Sequence, residues 1–358
     1  MADKYKVSII SEVNKIAYVE RDIPEPAEDQ VLVKVDACAI CTLEQRVYSG
    51  KMKFKLPYAG GHEVSGHIQK VGGKVKHLSD GDNVAVRLLT SCGECYYCRN
   101  GYDNQCVDSF KTSIHEGVPG GGGLSEYMLV SARAVYKVDD SLDPTHTALT
   151  EPLACCVHSV NRGDIQFGDT VAVVGVGIMG AFHIMLAKLK GAKVIACEVS
   201  EERLKIAKEC GADVLINTAK VDAVEAVKEH TALMGADVVF NTVAISEVAR
   251  QSTEMVAKLG RVVLYSSFHP DKPLDLSPNQ IHYSESIITG SVNPGIKDFL
   301  QATKLLSARI IDPSPFITEV VSFDQIEAGM GKALDPMSFR VIISMQDDAN
   351  ESVSVAIG

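Results

Sequence analysis

Over roughly the first 155 residues, hydrophobic positions come in short runs that end at Gly, Pro or Asp: VLVKVDAC (31–38), VSGHIQKVG (64–72), DNVAVRLL (82–89) and SEYMLVS (125–131). Runs of that length and β-branched content predict strands, so this half is expected to be mostly β and barrel-like. From about residue 160 the period changes. Short apolar runs VAVVG (171–175), KVIACE (193–198), DVLIN (213–217), ADVVFN (236–241), RVVLYSS (261–267) and SIITGSV (286–292) now alternate with helix-period segments at 178–191, 200–211, 221–232 and 246–260. Such alternation predicts a parallel sheet covered by helices on both faces, a doubly wound domain over 157–293. The tail offers one helix-like run, IKDFLQATKLLSA, and a closing strand RVIIS (340–344). It is thin for an independent domain, so 294–358 is expected to return to the domain formed by 1–156.

The 358 residues exceed the size at which one hydrophobic core stops growing, which supports two domains. With 46% hydrophobic and 23% charged residues, the chain has the makeup of a folded globular protein. A formal charge of −11 supplies no concentrated cationic surface, so nucleic acid is not expected as a partner. The N-terminus scatters its charges and lacks the basic-then-apolar order of a secretory signal, which points to the cytoplasm. The uncharged stretch 171–187 is shorter than the ~20 residues of a membrane span and is broken by Gly175, Gly177, Gly180 and His183, so no membrane association is expected.

The strand at 171–175 runs into Gly175-Val176-Gly177-Ile178-Met179-Gly180 and then a helical segment. In that context the first glycine makes the turn, the second lets the backbone approach a pyrophosphate and the third lets helix pack on strand. The pyrophosphate would sit on unpaired N–H groups at the helix start, which makes Gly175, Gly177, Ile178, Met179 and Gly180 candidate cofactor-binding residues of a Rossmann domain. Glu198, closing the next strand, would accept hydrogen bonds from ribose hydroxyls and repel the extra phosphate of NADP. NAD(H) is therefore expected over NADP(H), while Arg203, a cation able to pair with that phosphate, keeps NADP open.

Four of the ten cysteines, Cys92, Cys95, Cys98 and Cys106, fall on one short loop. Four thiolates from such a loop can close a tetrahedral Zn²⁺ completely, as in a structural site. Disulfides are the alternative, disfavoured without a secretory signal, and an iron–sulfur cluster would have a shorter final spacing. Three further features lie far apart: Cys41, Gly61-His62-Glu63 and Glu151-Pro152. Each alone reads as core packing. Together they offer a thiolate, an imidazole and two carboxylates, a set suited to a catalytic zinc that keeps one position open.

The run Gly61-His62-Glu63-Val64-Ser65-Gly66, followed by Gly72 and Val75, resembles the zinc signature of the medium-chain alcohol dehydrogenases. The four-cysteine loop is similar to their structural zinc lobe, and GDNV (81–84), GGLSEY (122–127) and EPLA (151–154) extend the likeness over nearly the whole chain. The resemblance implies a GroES-like catalytic domain carrying both zincs and a Rossmann domain binding NAD. It implies Cys41, His62 and either Glu63 or Glu151 as ligands of the catalytic zinc, the two glutamates alternating during turnover. Glu151 in place of a second cysteine is similar to the sorbitol, threonine and butanediol dehydrogenase branches. The implied reaction is hydride transfer between NAD(H) and a secondary alcohol or ketone, with a polyol, sugar alcohol or sugar derivative first in line and an amino alcohol or sugar phosphate still open. Cys155 and Cys156 compete as ligand sources but read as buried packing. A homodimer or homotetramer is also implied, often through the sheet edge near 286–292.

One segment departs from the family pattern. The proton commonly leaves through a Ser or Thr two residues after the first zinc cysteine; here that residue is Leu43, which cannot relay one. The frequent His five residues after that cysteine is replaced by Arg46. Glu63, Glu44 or a chain of waters is expected to take the proton instead, with Arg46 holding an anionic or polyhydroxylated substrate or the cofactor phosphates. A structural Glu44 to Arg46 ion pair is the alternative. His115 is a candidate to touch substrate from its glycine-rich loop, or else a solvated loop residue, whereas His158 and His183 read as packing or cap residues. The contrasting view of the whole chain is a non-catalytic NAD(H)-binding protein, suggested by the missing relay and opposed by the intact ligand set.

Overall fold

The computed structural model describes residues 3–109, the backbone of 114–115, and residues 117–346. The chain divides into two compact units, residues 1–154 with 295–358 and residues 155–294.

The first unit is built on a seven-stranded sheet. Its central strand Gln30–Ala39 pairs antiparallel with Glu63–Val71, with Tyr127–Ser131 and with the closing strand Arg340–Ser344. Asn83–Arg87 continues the sheet beyond Glu63–Val71. Alternate residues Val31, Val33 and Val35 are almost fully buried in one core with Val64, Ile68, Val84 and Val86. Register brings Ala39 opposite both Glu63 and Ile342, so the residue before Cys41, the Glu63 strand start and the Arg340 strand meet at one end of the sheet. A hairpin of Lys4–Glu12 and Lys15–Asp22, not among the strands predicted above, joins this unit through mutual backbone bonds between Ile10 and Tyr58.

The second unit is a six-stranded, wholly parallel sheet. Its strands lie in the order Val214–Asn217, Lys193–Glu198, Thr170–Val174, Ala236–Asn241, Val256–Leu264 and Ile287–Gly290. Strand order reverses on either side of Thr170–Val174, the topological switch point where this architecture binds its ligand. The stretch 171–187 is thus a strand, a glycine turn and part of the helix Ile178–Leu189. Among the described residues, no helix is long and apolar enough to cross a membrane. One boundary differs from the pattern: the helix Ser246–Met255 stops early and pairing begins at Val256. A register shift follows, with Leu259 at φ 65°, so the apolar period of 256–260 belongs to a bulged strand.

Candidate active site

Cys41 is the residue before the helix Thr42–Tyr48, and His62 is the residue before the strand Glu63–Val71, which Glu63 opens. One ligand atom from each of the three lies within 4.8 Å of the others. Gly61 makes the approach possible. Its φ is 92°, and a Cβ there would stand 2.5 Å from the Leu124 nitrogen and 2.9 Å from the Cys38 sulfur.

Glu44 is fully buried, and its Oε1 accepts from His62 Nδ1 at 2.9 Å and from the Gly61 N–H at 3.0 Å. Burial pushes this carboxyl up, but the charge and hydrogen bond of His62, with the Gly61 N–H, outweigh it and hold Glu44 below the usual carboxylate range. With Nδ1 committed as a donor, Nε2 is the ring nitrogen left to bind a metal. The Glu44 carboxylate turns inward, to His62 and the Gly61 N–H. Glu44 thus orients His62 through Oε1, while its buried Oε2 has no hydrogen-bond partner among the described residues. Arg46 lies half-buried in the last turn of the helix, and Leu43 is half-buried against the sheet core.

Arg340 was missed in the sequence, where it reads only as the start of an apolar strand. Its guanidinium donates to both Glu63 oxygens, Nε at 2.9 Å and NH2 at 2.7 Å, and NH2 lies 3.8 Å from the Cys41 sulfur. Arg340 is 5% exposed and Glu63 0%, a buried bidentate pair. Burial opposes the charge on Arg340, yet Glu63 and then Cys41 raise its pKa further. Glu151 is half-buried in the first turn of the helix Thr150–Gly163. It stands outside the close group of donors, although Arg340 feels its charge. Cys155 and Cys156 are not in either donor group, and Cys156 directs its thiol to the Met179 carbonyl at 3.5 Å.

Cys92, Cys95, Cys98 and Cys106 form the second group, their sulfurs within 4.8 Å of one another. Backbone N–H groups point at these sulfurs: Cys95 to Cys92 at 3.3 Å, Cys98 to Cys95 at 3.5 Å, and Cys92 to Cys106 at 3.2 Å. These donors hold the Cys95 and Cys106 thiols below the ordinary cysteine range, whereas burial pushes the Cys98 thiol up to about 12. Among the described residues every cysteine is a free thiol.

In the second unit Gly175 turns at φ 89°, and a Cβ on Gly180 would lie 1.9 Å from the Gly175 carbonyl. Gly177 caps the helix Ile178–Leu189 with no side-chain partner, leaving the first N–H groups of Ile178, Met179 and Gly180 directed outward for a ligand. Glu198 ends its strand with Oε2 accepting from Val176 N at 2.7 Å and Oε1 from Val199 N at 2.8 Å. The acid expected to read the ribose thus also shapes the glycine turn. Arg203 reaches across so that NH1 would be 3.8 Å from a Cβ on Gly177. Thr242, also missed, donates its hydroxyl to the carbonyls of Val174 and Gly175 and braces the turn from the neighbouring strand. The side chain of His115 lies outside the described residues. His183 is buried packing: its Nδ1 donates to the Met179 carbonyl at 2.7 Å and its Nε2 accepts from Ser159 at 2.8 Å.

Comparison with known proteins agrees with this geometry. Residues 27–140 match the alcohol dehydrogenase GroES-like domain, and residues 175–308 match the zinc-binding dehydrogenase domain. The chain is 33% identical over 316 residues to L-threonine 3-dehydrogenase of Pyrococcus abyssi, covering 86% of this chain and 89% of that one. It is 29% identical over 335 residues to D-arabitol-phosphate dehydrogenase of Enterococcus avium, covering 92% and 94%. A putative zinc-binding dehydrogenase of Sinorhizobium meliloti, solved with NADP, superposes with a TM-score of 0.87 at 29% identity over 96% of this chain and 99% of that one. The chain belongs to the zinc-binding medium-chain alcohol dehydrogenase family.

Proposed function

We propose that this protein is a zinc-dependent dehydrogenase that prefers NAD(H) and acts on secondary alcohols of the polyol or sugar-derivative class. The observation that carries the reading is the convergence of Cys41, His62 and Glu63, with a buried carboxylate turning His62 so that Nε2 is free. A mixed sulfur, nitrogen and oxygen set of this kind fits a zinc with an open position. When bound, zinc supplies Lewis acidity toward the substrate oxygen and NAD accepts the hydride. Cys41 and His62 hold the ion in this reading, with Glu63 or Glu151 filling the remaining protein position. Glu44 orients His62, and Arg340 orients Glu63. Cys92, Cys95, Cys98 and Cys106 hold a second, structural zinc. Gly175, Gly177, Ile178, Met179 and Gly180 receive the pyrophosphate.

NAD over NADP rests on Glu198, 8% exposed and tied by backbone N–H groups into the place where a 2′-phosphate would meet its charge. Relatives named for D-arabitol phosphate and L-threonine favour a polar hydroxy compound as substrate. The protein is placed in the cytoplasm as a homodimer or homotetramer, for which the edge strand Ile287–Gly290 offers a pairing surface. The test is NADH absorbance with a panel of polyols, ketones and sugar derivatives, before and after zinc removal by chelation. Zinc-stripped protein and Cys41→Ser are expected to bind NAD without turning over; retained turnover in either rejects the metal assignment. A higher kcat/KM with NADP than with NAD rejects the cofactor preference.

A further inference from the structure

A carboxylate of the four-cysteine loop caps a helix that lies outside that loop. The loop has little core of its own: its short helix Tyr96–Arg99 buries no residue, and Tyr96, Tyr102 and Val107 are exposed. Its shape therefore depends on a metal that draws the sulfurs together. Asp103 opens the turn Asp103–Gln105, and its carbonyl accepts from the N–H of the donor Cys106 at 3.1 Å. Unlike Tyr102 beside it, Asp103 is buried.

The buried carboxylate has two partners. Arg87, itself 4% exposed, donates NH2 to Oδ2 at 2.6 Å. The backbone N–H of Ile296 donates to both oxygens, at 3.2 and 3.1 Å. Ile296 is the first residue of the helix Ile296–Ser307, whose N-cap, Gly295, has no side chain to offer, while Asp298 serves the Gly295 N–H instead. Asp103 thus supplies, from 193 residues away, the acceptor that this helix start lacks, and sets a negative charge at the positive end of the helix dipole. Tyr136, whose ring meets Phe299 of the same helix at 4.8 Å, is near enough to feel the charges of both Arg87 and Asp103. Both anchoring points matter to the fold. Arg87 stands opposite Glu63 in the strand ladder, and Gly295 is where the chain re-enters the first unit.

Resting on the structural-zinc reading above, we infer that the metal of the four-cysteine loop holds the start of the helix Ile296–Ser307 through Asp103, which makes Asp103 a positioning residue coupling metal occupancy to the re-entry point of the chain. Loss of the metal frees the turn, withdraws the carboxylate and leaves the Ile296 N–H and the Arg87 guanidinium without that partner. The coupling is reciprocal, so whatever the metal contributes to the helix start, the helix start returns as metal affinity.

The test uses Cys41→Ser, which confines tight zinc binding to the four-cysteine loop, with and without the added pair Arg87→Met/Asp103→Ala, which leaves neither buried charge alone. Hydrogen exchange is read at the amides of Ile296 to Phe299, zinc-loaded and after chelation. In Cys41→Ser, stripping the zinc is expected to lower protection there about five- to thirtyfold, the worth of a helix cap, and to leave the helix Ile326–Ala333 of the same unit unchanged. With the pair added, protection at the helix start should already be low with zinc bound and should not respond to its removal. Zinc should also pass from that protein to a competing chelator at a concentration lower by a similar factor. An equal zinc response with and without the pair overturns the inference. The response of Cys41→Ser decides the matter even where the added pair does not fold: no drop at Ile296 to Phe299, or a uniform drop that reaches Ile326–Ala333, makes the loop a local or global staple and rejects the coupling. A Cys41→Ser protein that retains no zinc rejects the structural-zinc reading and the inference with it.

Discussion

At the scale of single residues, two side chains outside the donor set hold the metal donors in place. Glu44 fixes the His62 tautomer through a 2.9 Å hydrogen bond. Outer partners of this kind typically change metal affinity about 10- to 100-fold, so Glu44→Gln is expected to weaken zinc binding at the Cys41 and His62 site by that factor. Competition with a chromophoric chelator reads this directly, and an unchanged affinity would show that Glu44 is only a buried filler. Arg340 is the second. Removing it leaves Glu63 as a buried, unpaired carboxylate, and Arg340→Met is expected to cost about 3–5 kcal/mol in urea unfolding of the first unit. Glu63→Gln combined with Arg340→Met should recover much of that loss if the penalty is the orphaned charge, whereas additive losses would point to packing.

At the scale of elements, the glycine turn separates steric from functional demand. A Cβ on Gly180 would meet the Gly175 carbonyl at 1.9 Å, while on Gly177 the nearest atom is the Arg203 guanidinium at 3.8 Å. Gly180→Ala should therefore destabilise the second unit itself. Gly177→Ala should leave the fold intact, as circular dichroism would show, yet raise the Kd for NAD at least tenfold because the methyl stands where a pyrophosphate approaches. Normal NAD affinity in a folded Gly177→Ala protein would remove the pyrophosphate from this turn. The turn was legible in the sequence because its glycines, strand and helix are contiguous and each has a local conformational reason. The inner parallel strands Thr170–Val174, Lys193–Glu198 and Ala236–Asn241 were legible for a similar reason, as short, mostly buried apolar runs. The N-terminal hairpin was not, because its outer strand Lys15–Asp22 is half-exposed and carries little apolar contrast. Arg340 and Thr242 were hidden differently. Their roles exist only through partners, Glu63 and Gly175, that tertiary pairing brings beside them.

At the scale of the whole molecule, one buried histidine makes folding depend on pH away from any metal. His183 is fully buried between the rings of Phe240 and Tyr265, and burial pushes its pKa down to about 4, with the Met179 carbonyl opposing weakly. No charged group contributes to that shift, so the cause is loss of water around the imidazolium. The folded pKa lies below the unfolded value of about 6.5, and the unfolded chain therefore binds the extra proton between the two. Stability from the neutral ring is complete above pH ~6.5, falls as pH drops toward 4 and is fully lost below that. The gap amounts to about 3 kcal/mol. The chain has no tryptophan, and its two units need not unfold together, so hydrogen exchange at amides of the helix Ile178–Leu189 is the better measure. Protection there should drop steadily from pH 6.5 to 4 in the native protein, once intrinsic exchange is corrected. In His183→Gln, which cannot take up a proton, the helix should be less protected at pH 7 but lose little further on acidification. A variant with the native slope would assign the acid sensitivity of this unit to its surface carboxylates rather than to the buried ring.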